Sequence, residues 1–187
     1  PLPPPRRSGP LALEEALARR RSLRQFSAEP LTQAQIGQLL WAAQGVSDER
    51  GLRTAPSAGA LYPREIYVVT AEGVYHYLPA AHALETLATG DRRTDLWRVA
   101  LNQDAVRQAP AVFAIAAVYG RTERRYGAVR TPRYVHMEAG HSAQNLLLQA
   151  VALELGGVPI AAFDDAGVQR TLGLPAEEQP LYLIPVG

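Results

Sequence analysis

The stretch Tyr134-Val-His-Met-Glu-Ala-Gly-His-Ser-Ala-Gln-Asn-Leu-Leu-Leu-Gln-Ala-Val-Ala-Leu-Glu-Leu155 carries most of the information about the fold. Val135, Ala139, Leu146, Ala150 and Leu153 fall at helical spacing and describe a helix that is apolar round most of its circumference. Such a helix belongs at the centre of a molecule rather than on its surface. Gly156-Gly157 ends it.

On its N-terminal side, residues 120–132 read as a loop, and Arg121 to Arg133 contains five arginines. Before that, the uninterrupted apolar run Ala111 to Tyr119 reads as a buried strand. Glu65–Thr70 and Val74–Leu78 flank Ala71-Glu72-Gly73 and predict a β-hairpin. Short helices are expected over Ala83–Ala88 and Thr94–Gln103. Thr32 and Gln35 form a capping-box pair ahead of the stripe Ile36, Leu39, Leu40 and Ala43, which predicts a helix from Thr32 to Gln44 stopped by Gly45. A further helix is expected over Leu11–Arg21, with Leu13, Ala16 and Leu17 on one face. Residues 50–63, rich in Gly, Pro, Ser and Ala, read as a loop.

Beyond the long helix come a predicted strand (Val158–Phe163), a short helix (Asp164–Leu172) and a last strand (Leu181–Val186). Residues 1–10 read as an extended proline-rich tail and 11–187 as a single domain. The fold class is α+β, because the strands are too irregularly interleaved with helices for a doubly wound sheet.

Composition excludes several function classes. With 47% hydrophobic and 20% charged residues among 187, the chain is not intrinsically disordered. Nineteen basic against eighteen acidic residues leave +1, which gives no global drive toward nucleic acid or anionic membrane. The absence of cysteine removes disulfides, thiolate catalysis and Cys-based metal sites. All nineteen basic residues are arginine, so Schiff-base chemistry is absent while rigid guanidinium forks abound. No apolar run is long enough to cross a bilayer, and Pro1–Pro10 lacks a signal-peptide core, so a cytoplasmic location is expected.

No dinucleotide or Walker glycine motif occurs. His136 and His141 lie about 140° apart on the predicted helix and do not converge on a metal, so no metal site is expected. Gly140-His141-Ser142-Ala143-Gln144 lacks the second glycine of a nucleophile elbow and falls inside a helix. The Arg121–Arg133 segment, interleaved with Tyr126 and Tyr134, is compatible with an RNA contact, a solvated loop or a subunit contact.

Three short stretches have the chemistry of a ligand site. Arg19-Arg-Arg-Ser-Leu-Arg24 offers guanidiniums and a hydroxyl for a dianion. Pro56-Ser-Ala-Gly-Ala-Leu-Tyr-Pro63 makes a thin, stiff wall suited to a flat ring. Gly156-Gly-Val-Pro-Ile-Ala-Ala-Phe-Asp164 can present backbone N–H groups past small side chains. With Glu138-Ala-Gly-His-Ser-Ala-Gln-Asn145 and the closing Pro180-Leu-Tyr-Leu-Ile-Pro-Val-Gly187, their order resembles the nitroreductase superfamily of flavin mononucleotide (FMN) oxidoreductases. Within it the chain looks most like the branch of azoline-oxidising dehydrogenases that form thiazoles and oxazoles.

That resemblance implies a mostly antiparallel sheet surrounded by helices, in an intertwined homodimer with FMN at the interface. It implies that Arg20, Arg21, Ser22 and Arg24 hold the flavin phosphate and ribityl chain. Pro56, Ser57, Ala58 and Gly59 would cover the ring from the other subunit, and Pro159, Ile160, Ala161 and Ala162 would lie along it. Either Asn102 or Gln103 would meet the pyrimidine edge; no catalytic residue is implied. The expected activity is ping-pong hydride transfer from NAD(P)H or an organic donor to a nitro compound, quinone or azoline-type heterocycle, on a small-molecule or peptide substrate. Where many relatives carry an acidic residue this chain has Ala161, and where an asparagine is common it has Ala60. The relatives' azoline oxidation is associated with a lysine and tyrosine base, and no lysine is present. A non-catalytic flavin-binding or maturation scaffold and a nucleic-acid-binding module are the alternative readings.

Overall fold

A computed structural model describes all residues from Pro1 to Gly187. In chain order the elements are α1 (Leu13–Arg19), α2 (Gln33–Gln44), a 3-10 turn (Ala58–Ala60), β1 (Arg64–Val69), β2 (Gly73–Leu78), β3 (Ala83–Thr89), α3 (Arg93–Val99), α4 (Asp104–Gln108), β4 (Ala111–Val118), α5 (Tyr119–Tyr126), α6 (Thr131–Ala152), α7 (Asp165–Leu172) and β5 (Glu178–Val186). The five strands form one sheet in the order β3-β2-β1-β4-β5, antiparallel throughout.

The sheet separates two cores. On one face Phe113 and Ile115 of β4 meet Leu39 and Leu40 of α2 and Leu146 and Leu147 of α6. On the other, Val112 and Ala114 meet Leu96 of α3, Val106 of α4 and Val168 and Leu172 of α7. β4 is therefore buried on both faces, which is why its sequence is continuously apolar rather than alternating. The central helix is α6, and α2 beside it starts with the expected box: Thr32 Oγ1 accepts from the Gln35 N–H at 3.2 Å, and Gln35 Oε1 accepts from the Thr32 N–H at 2.8 Å.

Four sequence expectations need correction. Ala83–Ala88 is not a helix but most of the edge strand β3. Its Ala, Leu and Glu favour helix, yet pairing with β2 supplies a ladder that outweighs propensity. Thr94–Gln103 is helical only as far as Val99, in α3; the chain then turns through Leu101 and Asn102, both of which take positive φ of 56°, and α4 starts at Asp104. Residues 120–132 are not a loop, since they hold most of α5 and the first residues of α6. Val158–Phe163 is not a regular strand: Gly157 and Ile160 make isolated bridges to Val186 and Leu183, and Pro159 between them has no N–H to continue a ladder.

Residues 1–10 are extended, and they are anchored. The Leu2 N–H donates to the His82 carbonyl at 2.9 Å, and the Arg6 N–H donates to Gln38 Oε1 at 2.8 Å. No helix is long and apolar enough to cross a membrane.

Candidate functional site

After α1 the chain runs extended beside Gly156-Gly157. Ser22 bridges Gly157 in parallel, and the Leu23 N–H donates to the Gly157 carbonyl at 3.1 Å. The glycines permit this approach: a Cβ on Gly156 would lie 2.5 Å from Leu23 Cδ1, and one on Gly157 would lie 3.1 Å from the Pro185 carbonyl oxygen. The opposite edge of the segment is held by β5, with Val158 N–H to Pro185 at 3.2 Å and Ile160 N–H to Leu183 at 2.8 Å.

Beyond Ile160 that pairing stops. Ala161 and Ala162 are exposed, and their N–H groups donate to nothing in the chain. The Gln103 amide spans the gap, donating to the carbonyls of Ala162 at 2.9 Å and Ala100 at 3.0 Å. Arg24, Gln103, Asp104, Gln108 and Ile160 line an open cavity of about 390 Å³. Arg20 and Arg24 form no ion pair, whereas Arg19 pairs with Glu15. Arg21 is turned back onto the end of α1, donating to the carbonyls of Ala18 at 3.0 Å and Arg20 at 2.7 Å. Asn102 is exposed and its side chain bonds nothing in the chain; of the two pyrimidine-edge candidates, Gln103 is the one on the cavity.

The Pro56–Gly59 loop is elsewhere. The Ala58 N–H donates to Glu138 Oε1 at 2.8 Å, and the Tyr62 N–H closes the loop onto Ser57 Oγ at 2.8 Å. Asn145 Nδ2 donates to the Thr54 carbonyl at 3.2 Å. Beneath the loop Arg64 is fully buried, donating to the Glu138 carbonyl and Ser142 Oγ, both at 2.7 Å, with its Nε 3.7 Å from Glu138 Oε2. Burial pulls this guanidinium down to about 10 despite the neighbouring carboxylate. Glu138, which holds the loop, and Leu147, against which Gly157 packs, are nine residues apart on α6, or about 14 Å along its axis. Within one protomer the loop shares no hydrogen bond with the Arg20–Arg24 surface.

Residues 17–187 match the model of the nitroreductase family. This chain belongs to the nitroreductase family. It is 45% identical over 183 residues to a nitroreductase-family protein of Methanocaldococcus jannaschii, covering 95% of this chain and 91% of that one. A second relative is the microcin B17-processing protein McbC of Escherichia coli, 31% identical over 65% of this chain and 48% of McbC. A nitroreductase-family crystal structure from Ralstonia eutropha superposes with a TM-score of 0.91 at 30% identity, over 100% of this chain and 87% of the other. The NADPH:FMN oxidoreductase of Vibrio harveyi complexed with NAD+ superposes with a TM-score of 0.69 at 25% identity, over 94% of this chain and 67% of that one.

In this nitroreductase-family chain, sequence reasoning missed Arg64 and gave Glu138 no role. An arginine opening a strand gives no sign that its head will be buried; the glutamate inside an apolar helix was the available signal. A second charged cluster crosses the sheet. His76 Nε2 meets Glu65 Oε2 at 2.8 Å, Arg121 Nη2 meets Glu65 Oε1 at 2.5 Å, and the Tyr67 hydroxyl donates to Glu178 Oε2 at 2.6 Å. No group of three or more His, Asp or Glu side chains is arranged to hold a metal ion.

Proposed function

We propose that the chain is an FMN-dependent oxidoreductase working as a cytoplasmic homodimer, with residues 11–187 forming one FMN-binding domain per protomer. It takes hydride from NAD(P)H or an organic donor and passes it, in ping-pong fashion, to an acceptor such as a nitro compound, quinone or azoline-type heterocycle. The observation carrying this reading is the surface built on the Ser22–Gly157 bridge. It carries the unpaired guanidiniums of Arg20 and Arg24 and the free N–H groups of Ala161 and Ala162, with Arg24 and Ile160 lining one cavity. A phosphate dianion needs the first kind of donor, and the edge of a flavin ring accepts from the second.

When bound, FMN supplies two-electron hydride chemistry; the protein's residues supply the rest. Arg20, Arg24 and the Ser22 hydroxyl would neutralise and hydrogen-bond the phosphate, and Arg21, bonded to the Ala18 and Arg20 carbonyls, stiffens the end of α1. Pro159 and Ile160 would pack against the ring, while the N–H groups of Ala161 and Ala162 would be the donors available to its polar edge. Gln103 fixes the Ala162 peptide, and its Oε1 is left as an acceptor. The loop Pro56, Ser57, Ala58 and Gly59 of the other subunit would exclude water from the ring.

Dimerisation is supported by apolar side chains that a lone protomer leaves in water: Leu13 and Leu17 on α1 are 62% and 51% exposed, and Met137 on α6 is 57% exposed. A peptide-borne azoline is a second reading for the substrate, favoured by the similarity to McbC. Nucleic acid and membrane are not partners in this reading.

The test is an anaerobic half-reaction on purified protein loaded with FMN. Bleaching of the bound flavin by NADH or NADPH and its reoxidation by a quinone or nitroarene support the proposal. Protein that stays colourless after incubation with FMN, or sediments as a monomer, overturns it.

A further inference from the structure

The sheet face that packs on α2 and α6 is not covered to its edge. Phe113 of β4, Val68 of β1, Tyr75 of β2 and Thr86 of β3 stand in register as one row across four strands. Phe113 and Val68 are buried in the core, Tyr75 is half-buried and Thr86 is exposed. Where burial falls away, a cavity of about 550 Å³ opens, with Val68, Tyr75 and Thr86 on its floor. Residues two apart on a strand share a face, so Thr70 and Leu84 line it as well. The cavity has the volume of a small-molecule site and shares no lining residue with the one at Arg24 and Gln103.

Its walls are apolar and fixed. Leu31, just before α2, stands on one side and Leu2 of the N-terminal segment on another. Leu2 rests on α2, where a Cβ added to Gly37 would lie 3.3 Å from the Leu2 Cβ. His82 Nε2 donates to the Pro3 carbonyl at 3.0 Å and secures the next residue. These half-buried side chains leave apolar surface facing water, which a hydrocarbon ligand would cover.

The charge on the cavity is one-sided. Of its two charged side chains, Arg93 is satisfied within the chain: Nε and Nη2 bond the two Asp91 oxygens at 2.9 and 2.6 Å, and Nη1 donates to the Ala109 carbonyl at 2.9 Å. Glu72 forms no ion pair. Its carboxylate accepts from the Thr70 hydroxyl, which holds the carboxyl below its ordinary value and keeps it ionised at neutral pH. An apolar floor and walls thus meet a single uncompensated negative charge.

We infer that this cavity is a second binding site, independent of the flavin reading, for a small amphipathic amine. The ligand's hydrocarbon body lies on Val68, Tyr75 and the leucine walls, and its ammonium group donates to the Glu72 carboxylate. A carboxylate ligand of the same shape is repelled, and a neutral one gains only the apolar contact.

The experiment titrates the full chain, with and without FMN, with 2-phenylethylamine, 2-phenylethanol and phenylacetate, and follows assigned backbone amides by two-dimensional NMR. The amine is expected to shift the amides around Val68, Glu72, Tyr75 and Thr86 saturably, and to bind about three- to ten-fold tighter than the alcohol. Phenylacetate binds more weakly than the alcohol. Glu72→Gln, which keeps an oxygen for Thr70, brings the amine to within about two-fold of the alcohol and leaves the alcohol unchanged. Thr86→Trp, an exposed edge-strand position that tolerates an aromatic, fills the cavity and abolishes binding of both. An alcohol that binds as tightly as the amine, a Glu72→Gln variant that keeps the preference, or shifts confined to the Arg24 and Gln103 cavity overturns the proposal. So does the absence of any saturable shift. None of these outcomes depends on whether FMN binds, which the flavin absorbance reads separately.

Discussion

The backbone N–H of Ala58 donates to Glu138 Oε1 at 2.8 Å and thereby fixes a surface loop to the central helix. The carboxylate is itself buried, and the charge facing it is the fully buried Arg64. One ion pair thus sets the position of the whole Pro56–Gly59 segment.

Removing the carboxylate leaves Arg64 charged and unpaired in a dry site. Glu138→Ala is expected to cost about 3–5 kcal/mol, read from urea denaturation. Glu138→Gln keeps an acceptor for Ala58 and should cost less. An alanine variant with an unchanged unfolding midpoint would show that the pair contributes nothing.

Within the arginine segment the three candidates should not behave alike. Arg20→Ala and Arg24→Ala are each expected to weaken FMN binding about ten-fold or more in a fluorescence titration, since each removes an unpaired guanidinium. Arg21→Ala should change it less than about three-fold, because its head is spent on the Ala18 and Arg20 carbonyls. Equal losses in all three would mean that Arg21 reorients on binding.

Gly157→Ala tests the close approach that builds the surface. The new methyl meets Leu147 Cδ2 at 2.9 Å and the Pro185 carbonyl oxygen at 3.1 Å. A loss of about 1–3 kcal/mol is expected, together with weaker FMN binding as the Ser22 strand is displaced. Full retention of both would argue that the segment is free to shift.

The cluster around His76 predicts a pH dependence of stability. Its hydrogen bond to Glu65 raises the imidazole above its ordinary value, Glu178 and Glu85 add to this, and burial opposes it. A raised folded-state value means the stabilisation is complete below about pH 6.5 and is lost as pH rises through the higher folded value. Burial raises Glu178 as well, so its contribution also fades with rising pH, beginning from the ordinary glutamate range. Guanidinium denaturation midpoints should therefore fall between pH 6 and pH 9, and His76→Gln should flatten that fall. A wild-type midpoint that rises over this interval would contradict the assignment.

Where local pattern and burial agreed, the sequence was readable. The Thr32–Gln35 box, the apolar run of β4 and the long stretch around Leu146 each formed as their patterns predicted, because cap geometry and periodicity act within a few residues. β3 was misread because its residues favour helix and only a neighbouring strand makes them extended. α5 was read as a loop because its arginine-rich sequence has no apolar stripe, although Arg121 and Thr122 turn inward.

The sequence alone established the α+β class, the family resemblance and the stretches with the chemistry of a phosphate and ring site. Only the tertiary structure showed that Ser22 lies against Gly157, that Gln103 rather than Asn102 reaches the cavity, and that Arg64 and Glu138 hold the Pro56–Gly59 loop. Side-chain type and spacing are local properties that a chain displays before it folds. Which of two neighbouring polar side chains faces a cavity, and which charges share a dry interior, depends on contacts between residues far apart in sequence.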